Sequence, residues 1–259
     1  MRRGVVVRSA VLVAVGAMAV ATSRAEAQRA SEAGTRPVAY LGLGVIGADP
    51  VGELGAYFDA GAGGQFMGAF PLEATGRVRL RGDFGFVIYG YERQRLCMSA
   101  PVGCRIELDL NTTNSIVFGG LGPEVSLADG PVEPYLNATF GFTWFGTTSS
   151  LQGESDAEDF ASTTNFSDAV FAWRAGGGLR VRVRGGRAPL SLDFGVERHQ
   201  NGVADFLAKG DIVDHPDGTI TVLPNRAEAN LMTFRMGMSI GLPHGSDPDE
   251  GGRRGGGGP

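Results

Sequence analysis

The sequence predicts an all-β fold: a closed, antiparallel, eight-stranded transmembrane β-barrel with short periplasmic turns and long extracellular loops. Two observations support this prediction. Eight segments place large apolar residues at every second position, which is the period of a β-strand with one apolar and one polar face. The connections between these segments alternate between long and short, as in membrane barrels that carry loops at one end and tight turns at the other.

The clearest strand covers residues 230–242. Its even positions carry six large apolar residues: Met232, Phe234, Met236, Met238, Ile240 and Leu242. The residues between them are small or polar. A soluble eight-stranded barrel of the lipocalin type could show the same alternation, but its apolar face would line the interior. The two alternatives therefore differ in which face points outward.

The other seven strands are predicted at residues 37–48, 61–70, 77–93, 112–127, 135–147, 169–183 and 190–199. Charged residues of both signs fall on the polar parity of these strands, so we expect them to fill the lumen with salt bridges. The expected lumen network consists of Arg79, Arg81, Asp83, Glu124, Arg174, Arg180, Arg182, Asp193, Glu197 and Arg235. Phe118 also falls on the inward parity.

Aromatic residues cluster near the predicted ends of the strands. We expect them to form girdles at the two membrane interfaces. The residues next to the long loops are Tyr89, Tyr91, Trp144, Phe145, Phe171 and Trp173; those next to the short turns are Phe70 and Tyr135.

The N-terminus has the three parts of a secretory signal peptide. Arg2, Arg3 and Arg8 are positive, residues 10–21 are apolar, and Ala25-Glu26-Ala27 fits a small-x-small cleavage site. We therefore predict a cleaved signal peptide at 1–27, an N-terminal segment at 28–36 and the barrel at 37–242. Residues 243–259 form a tail rich in Gly and Pro that we expect to be disordered.

The chain contains two cysteines, Cys97 and Cys104. In an exported protein the expected state is a disulfide, here closing a short loop. Two free or metal-binding thiols are the alternative, although no histidine is close in sequence. Nothing else in the sequence predicts a cofactor, and the absence of a basic stripe argues against nucleic acid as a partner.

These features resemble the eight-stranded outer-membrane β-barrels, such as the membrane domain of outer membrane protein A and the opacity-type, porin-like proteins. The resemblance covers nearly all of the mature chain. The last strand is also similar to the assembly signal of that family, in the residues Arg235, Gly237, Ile240 and Leu242. Two features depart from the family: the signal ends in Leu242, with a seventeen-residue tail beyond it, instead of in a terminal aromatic residue, and we expect no folded periplasmic domain that grips peptidoglycan. The resemblance implies outer-membrane lipid, lipopolysaccharide and the barrel-assembly machinery as partners of a monomer.

Two segments could carry chemistry. His199 lies where a strand meets the longest loop and is faintly similar to the His-x-Ser-Asn segment of lipid A deacylases, but Gln200 and Asn201 follow it and the serine is absent. In the same loop Asp211, Asp214 and Asp217 could bind a cation, although their spacing does not match a calcium loop. Asp217-Gly218 is more simply the turn of a hairpin.

The sequence thus favours an outer-membrane protein with a structural or surface-interaction role and acidic extracellular loops. The alternatives are a lipid A-modifying enzyme centred on His199 and a small-solute pore. A filled lumen argues against the pore, and the missing serine argues against the enzyme.

Overall fold

The computed structural model describes residues 36–97, 107–153, 159–215 and 220–243. The predicted signal peptide, Cys104 and the tail beyond residue 243 lie outside these ranges. The strands are β1 Ala39–Pro50, β2 Gly61–Pro71, β3 Val78–Cys97, β4 Glu107–Ser126, β5 Val132–Gly153, β6 Asp159–Arg184, β7 Leu190–Gln200, β8 Val203–Phe206, β9 Ile212–Asp214, β10 Ile220–Val222, β11 Asn225–Glu228 and β12 Leu231–Leu242. A short 3-10 helix, Gly52–Ala56, follows β1.

Eight of these strands close into a barrel in the order β1-β12-β7-β6-β5-β4-β3-β2. All neighbouring strands are antiparallel, and the ring closes where β1 pairs with β12, from Ala39 opposite Leu242 to Pro50 opposite Leu231. The predicted fold class, a closed eight-stranded antiparallel barrel, is confirmed.

The two ends of the barrel differ, as the connection lengths predict. Three short turns join β2 to β3, β4 to β5 and β6 to β7, and we call this the turn end. Each turn contains a glycine at positive φ, a conformation that glycine adopts without steric cost: Gly76, Gly130 and Gly186. The longer connections lie at the opposite end, which we call the loop end.

The barrel is apolar outside and polar inside. Every barrel strand has exposed large apolar residues, and the most exposed are Leu43 on β1 at 70% and Phe171 on β6 at 71%. On the inward parity of β3, Arg79, Arg81 and Asp83 are buried. The lipocalin-type alternative requires the opposite orientation and is therefore wrong. Among the described residues, no helix has the length and apolar character needed to cross a membrane.

Four strands are longer than predicted. β3, β4, β5 and β6 run on through residues that the sequence assigned to loops, so that Cys97 pairs with Glu107 and Gln152 pairs with Asp159. These extensions contain few large apolar residues, so the alternation that reveals a strand in the sequence disappears there. The four strands form a sheet that projects from the loop end.

Three residues of the predicted girdles point into the barrel instead. Tyr135 is buried and its hydroxyl donates to Asp193 Oδ1 at 2.7 Å, while the Tyr89 hydroxyl donates to the Leu207 carbonyl at 2.9 Å. Phe145 is 1% exposed. All three sit on the inward parity of their strands, which proximity to a strand end does not reveal. Phe70, Tyr91, Phe171 and Trp173 are exposed.

The longest connection, between β7 and β12, is folded into two small hairpins. β8 pairs with β11, and β9 pairs with β10. The predicted turn at Asp217-Gly218 falls at residues 216–219, outside the described residues, but the two arms beside it are paired. The sequence did not predict the β8–β11 pair.

Candidate functional site

The lumen is the first candidate site, and inward-facing glycines make room for its long side chains. A Cβ at Gly178 of β6 would collide with the Tyr135 hydroxyl, and one at Gly195 of β7 would lie 2.8 Å from Arg235 Nη2. The glycines thus allow tyrosine and arginine side chains to cross a narrow barrel.

Glu124 on β4 is the centre of an ion-pair network near the turn end. Its carboxylate accepts hydrogen bonds from Arg81 at 3.0 Å, Arg79 at 3.2 Å and Arg180 at 2.6 Å. Glu124 and Arg81 are both 0% exposed. A buried carboxylate is stable only with such partners, because water cannot solvate it.

The network continues across the barrel to β7 and β12. Arg235 contacts Asp193 at 3.1 Å and Glu197 at 3.5 Å, and Arg180 also contacts Asp193 at 3.1 Å. Glu197 accepts a further bond from Arg81 at 3.2 Å. The bridged strands therefore lie on opposite sides of the lumen, and the charged side chains fill the space between them.

The network differs from the predicted one at two positions. Arg182 is exposed and makes no ion pair with a described residue, because it lies on the inward parity opposite Ser191 at the very end of the barrel, beyond the network. Glu133 belongs to the network although the sequence placed it in a turn: it accepts from Arg79 at 2.7 Å and Arg180 at 3.2 Å. Its parity with Tyr135 on the same strand would have revealed it.

Above the network lies a layer around Arg174. This guanidinium is buried and stacks over Phe118 at 5.1 Å, and its three nitrogens have no hydrogen-bond partner among the described residues. With Arg174 the lumen contains five arginines (79, 81, 174, 180 and 235) and five acids (83, 124, 133, 193 and 197), so its formal charges balance.

His199 is buried in the same layer. It is 0% exposed, its Nε2 lies 3.0 Å from Thr233 Oγ1, and its ring meets Phe118 edge to face at 4.9 Å. The structure therefore does not place His199 at an open rim, where a lipid substrate could reach it.

An apolar plug, formed by inward side chains of the barrel and by two connections, closes the loop end. The β1–β2 connection contributes Leu54, and the β8–β11 hairpin contributes Ala204, Phe206 and Ala227. Phe206 is 0% exposed and contacts the rings of Tyr57 at 5.0 Å and Phe145 at 6.0 Å. The lumen is thus closed twice, by ion pairs below and by apolar packing above.

We expect Phe206→Ala to release the plug but leave the barrel folded, because Phe206 joins the hairpin to the wall and makes no contact with the ion pairs. Cleavage within residues 201–230 by added protease should become at least about tenfold faster, as expected for a segment that opens locally. The control is Val203→Ala, since Val203 lies on the same strand but is 50% exposed. Equal cleavage rates for both variants would contradict the plug.

A second candidate site is a cleft of about 180 Å³ at the loop end. Its floor is the projecting part of β3–β6, and the segment Ala208–Ile212 forms one wall. Hydroxyl and amide groups line it beside apolar side chains and the charged Glu92 and Lys209. Ser149 Oγ links Thr112 Oγ1 at 2.9 Å and Asn165 Nδ2 at 2.6 Å. Sequence reasoning missed this site because it assigned most of these residues to loops.

The predicted cation site in the longest loop and the predicted disulfide fall partly outside the described residues. Asp211 Oδ2 accepts from Ala208 N at 2.6 Å and from Asn225, whereas the Asp214 side chain and Asp217 lie outside the described residues. No cluster of metal-ligating side chains occurs within the described ranges. The disulfide also lies outside them, since Cys104 and the Cys97 side chain are not described.

The proposed assembly signal is divided between the two faces of β12. Arg235 points into the lumen network, and Gly237 lies against β1, where a Cβ would meet the Leu43 carbonyl. Ile240 is 40% exposed on the outer face, and Leu242 pairs with Ala39. Their role in assembly stays a prediction.

Outside the belt, ion pairs are exposed and weaker. At the turn end Arg77 Nη2 lies 2.8 Å from Asp129 Oδ2. The hydrogen bond from Arg77 lowers the pKa of Asp129 below its ordinary value. Because both side chains are about half exposed, solvent screens the pair and it adds little to stability.

No protein-family model matches the chain, and no curated protein sequence matches it. Among solved structures, it is similar to Neisserial surface protein A, at 13% identity and a TM-score of 0.41 over 79% of this chain and 96% of that one. It is also similar to Ail, the attachment invasion locus protein of Yersinia pestis, at 11% identity and a TM-score of 0.39 over 79% and 98%. A major outer membrane protein from Thermus thermophilus matches at 12% identity and a TM-score of 0.35 over 77% and 98%. The strand pairing of this chain itself closes the eight-stranded barrel.

Proposed function

We propose that this protein is a closed, non-conducting barrel of a bacterial outer membrane, which presents its loop end to partners outside the cell. The observation that carries the proposal is the combination of an apolar exterior with a lumen closed at two levels. A large exposed apolar surface is unfavourable in water but is the lipid-facing surface of a membrane barrel.

The dimensions of the belt fit a bilayer. On β5 the apolar positions run from Leu136 to Trp144. Nine residues at about 3.3 Å each, tilted near 40°, rise about 23 Å, close to the height of the apolar band in outer-membrane barrels. The short turns then face the periplasm and the projecting sheet faces outward. The signal peptide predicted at 1–27 supports export to that membrane.

The closed lumen supports a structural or surface-interaction role over a pore. In planar bilayers we expect the purified protein to show little or no steady conductance, because side chains occupy the width of an eight-stranded barrel. The protein should be confirmed as folded by heat-modifiable migration in detergent gels. Large, stable, ion-selective channels from folded protein would overturn the closed-barrel proposal.

The cleft at the loop end supports the interaction role. Its hydroxyl and amide groups, together with the charged Glu92 and Lys209, suit a hydroxyl-rich ligand of about the size of one sugar unit. We expect the purified protein to bind members of a glycan array, and Thr163→Trp to abolish this binding because Thr163 lines the cleft.

The matched control for this variant is Thr164→Trp. Thr164 is the exposed neighbour on the same strand and does not line the cleft, so its replacement should leave the binding unchanged. Binding that survives Thr163→Trp, or an array without any bound glycan, would remove the cleft from the proposal.

A further inference from the structure

Three arginines at the turn end differ from the other exposed arginines that the structure describes. Arg182 and Arg184 end β6, and Arg187 lies in the turn that follows; all three are exposed. None of their side chains has a hydrogen bond or an ion pair with a described residue. The other exposed arginines do: Arg36 with the Ala74 carbonyl, Arg77 with Asp129, Arg93 and Arg95 with Asp109, Arg198 with Gln200, and Arg226 with Asp205.

The local structure leaves these guanidinium groups without an acidic neighbour. The segment from Val183 to Leu192 contains no acid. The nearest turn is held by a hydrogen bond from the Arg182 amide to the Pro131 carbonyl at 2.7 Å, and its Asp129 is already paired with Arg77. Glu133 points into the lumen network. The positive charge at this edge therefore has no counter-charge from the described protein.

The same three residues border the apolar belt. Val183, between Arg182 and Arg184, is 55% exposed, and Leu192 on the neighbouring strand is 37% exposed. The register shift between Arg182 and Arg184 places Arg184 opposite Leu190 on the outer face, while Arg182 lies opposite Ser191 at the rim of the turn end. Arginine at such a boundary can keep its methylene stem on apolar surface while its guanidinium reaches the level of lipid headgroups.

We propose that Arg182, Arg184 and Arg187 bind the headgroups of anionic phospholipids at the turn end of the barrel. Guanidinium groups match phosphate through paired N–H donors. The belt supplies the acyl-chain contacts and the arginines select the headgroup charge. This proposal rests on the belt lying in a bilayer, but it is independent of the cleft and of any external ligand.

The experiment uses a tryptophan beside the arginines as a reporter of the adjacent lipid. The chain has two tryptophans, Trp144 and Trp173, and both are replaced by phenylalanine. Leu192→Trp then places a single indole on the outer face next to β6. Fluorescence quenching by brominated phosphatidylglycerol, compared with brominated phosphatidylcholine, gives the relative binding constant of the two lipids at this position.

We expect a preference for phosphatidylglycerol of at least about fivefold, since one basic residue at a membrane surface contributes on that order. The preference should fall towards one in Arg182→Gln/Arg184→Gln/Arg187→Gln and also in high salt. Arg187→Gln alone, which lies outside any strand, should lower it partially. Arg36→Gln/Arg77→Gln, at the same end, should leave it unchanged because those arginines have partners in the protein.

The lipid site would be overturned if the starting protein bound the two lipids equally, or if the triple variant kept the preference for phosphatidylglycerol. Either result would leave the membrane-barrel proposal intact. The absence of quenching by either lipid would mean that Leu192 does not face lipid, and both proposals would then fail. If the triple variant and Arg36→Gln/Arg77→Gln lost the preference for phosphatidylglycerol equally, the preference would come from the overall positive charge of the turn end. The specific site would then be overturned.

Discussion

Replacing Glu124 with glutamine should destabilise the barrel by about 3–5 kcal/mol, the cost of breaking a buried ion pair by removing one partner. The amide keeps the size of the side chain but removes the charge that Arg79, Arg81 and Arg180 share. The five arginines of the lumen would then face four acids. Reversible unfolding in urea, measured in phospholipid vesicles, gives the free energy.

The control for this variant is Asp129→Asn, which breaks an exposed pair of the same type. It should cost at most about 1 kcal/mol, because solvent screens the charges. If Glu124→Gln were no more destabilising than Asp129→Asn, the lumen network would contribute little to stability, and the filled interior would need another explanation.

Phe140→Arg should cost about 2–4 kcal/mol, as charged side chains do near the middle of the bilayer on the outer face of such barrels. Phe140 lies at the centre of the apolar positions of β5 and is 55% exposed. The same unfolding measurement applies, and the cost should vanish if the protein is unfolded from detergent micelles that allow the guanidinium to reach water.

Ser162→Arg is the matched control, because Ser162 is an exposed residue on the projecting part of β6, beyond the belt. We expect a change within about 0.5 kcal/mol there. Thr139, the inward neighbour of Phe140, would be a poor control: it is 0% exposed and pairs with Arg174, so an arginine there would be crowded by a like charge. Similar costs at positions 140 and 162 would place the membrane elsewhere.

The alternation of apolar and polar residues was sufficient to predict the strands within the belt and their orientation. On β12, for example, Phe234 is exposed and Arg235 is buried, as a period of two requires. The rule works there because lipid on one side and a narrow lumen on the other impose opposite demands on consecutive residues.

Sequence reasoning failed for the residues that do not lie between lipid on one side and the narrow lumen on the other. Beyond the belt, residues such as Ser162 and Thr163 meet water on the exposed side, so no apolar period marks the continuing strand. At the turn end Arg182 keeps the inward parity but lies at the open rim, so the period alone could not show that it stays outside the network. Glu133 was missed because β5 already starts at Val132, before its first aromatic residue.

The plug could not be predicted from any single segment. Leu54 and Phe206 are isolated apolar residues in polar connections, far apart in sequence, and become neighbours of one cluster only after the barrel closes. The cleft depends on the same closure, because its wall at Ala208–Ile212 belongs to the connection that carries the plug.

The pairing of β1 with β12 has a consequence for the time course of folding. Ala39 and Leu242 stand near opposite ends of the described chain, yet they are neighbours in the closed ring. The other barrel strands can pair with strands close to them in sequence, whereas this last seam must wait for the entire chain. Such non-local contacts make folding slow, and until the seam forms both β1 and β12 offer unpaired edges to other chains. A chain that ends before Leu231 lacks β12, so the edges of β1 and β7 would stay unpaired. It should accumulate as an aggregation-prone intermediate instead of a smaller barrel.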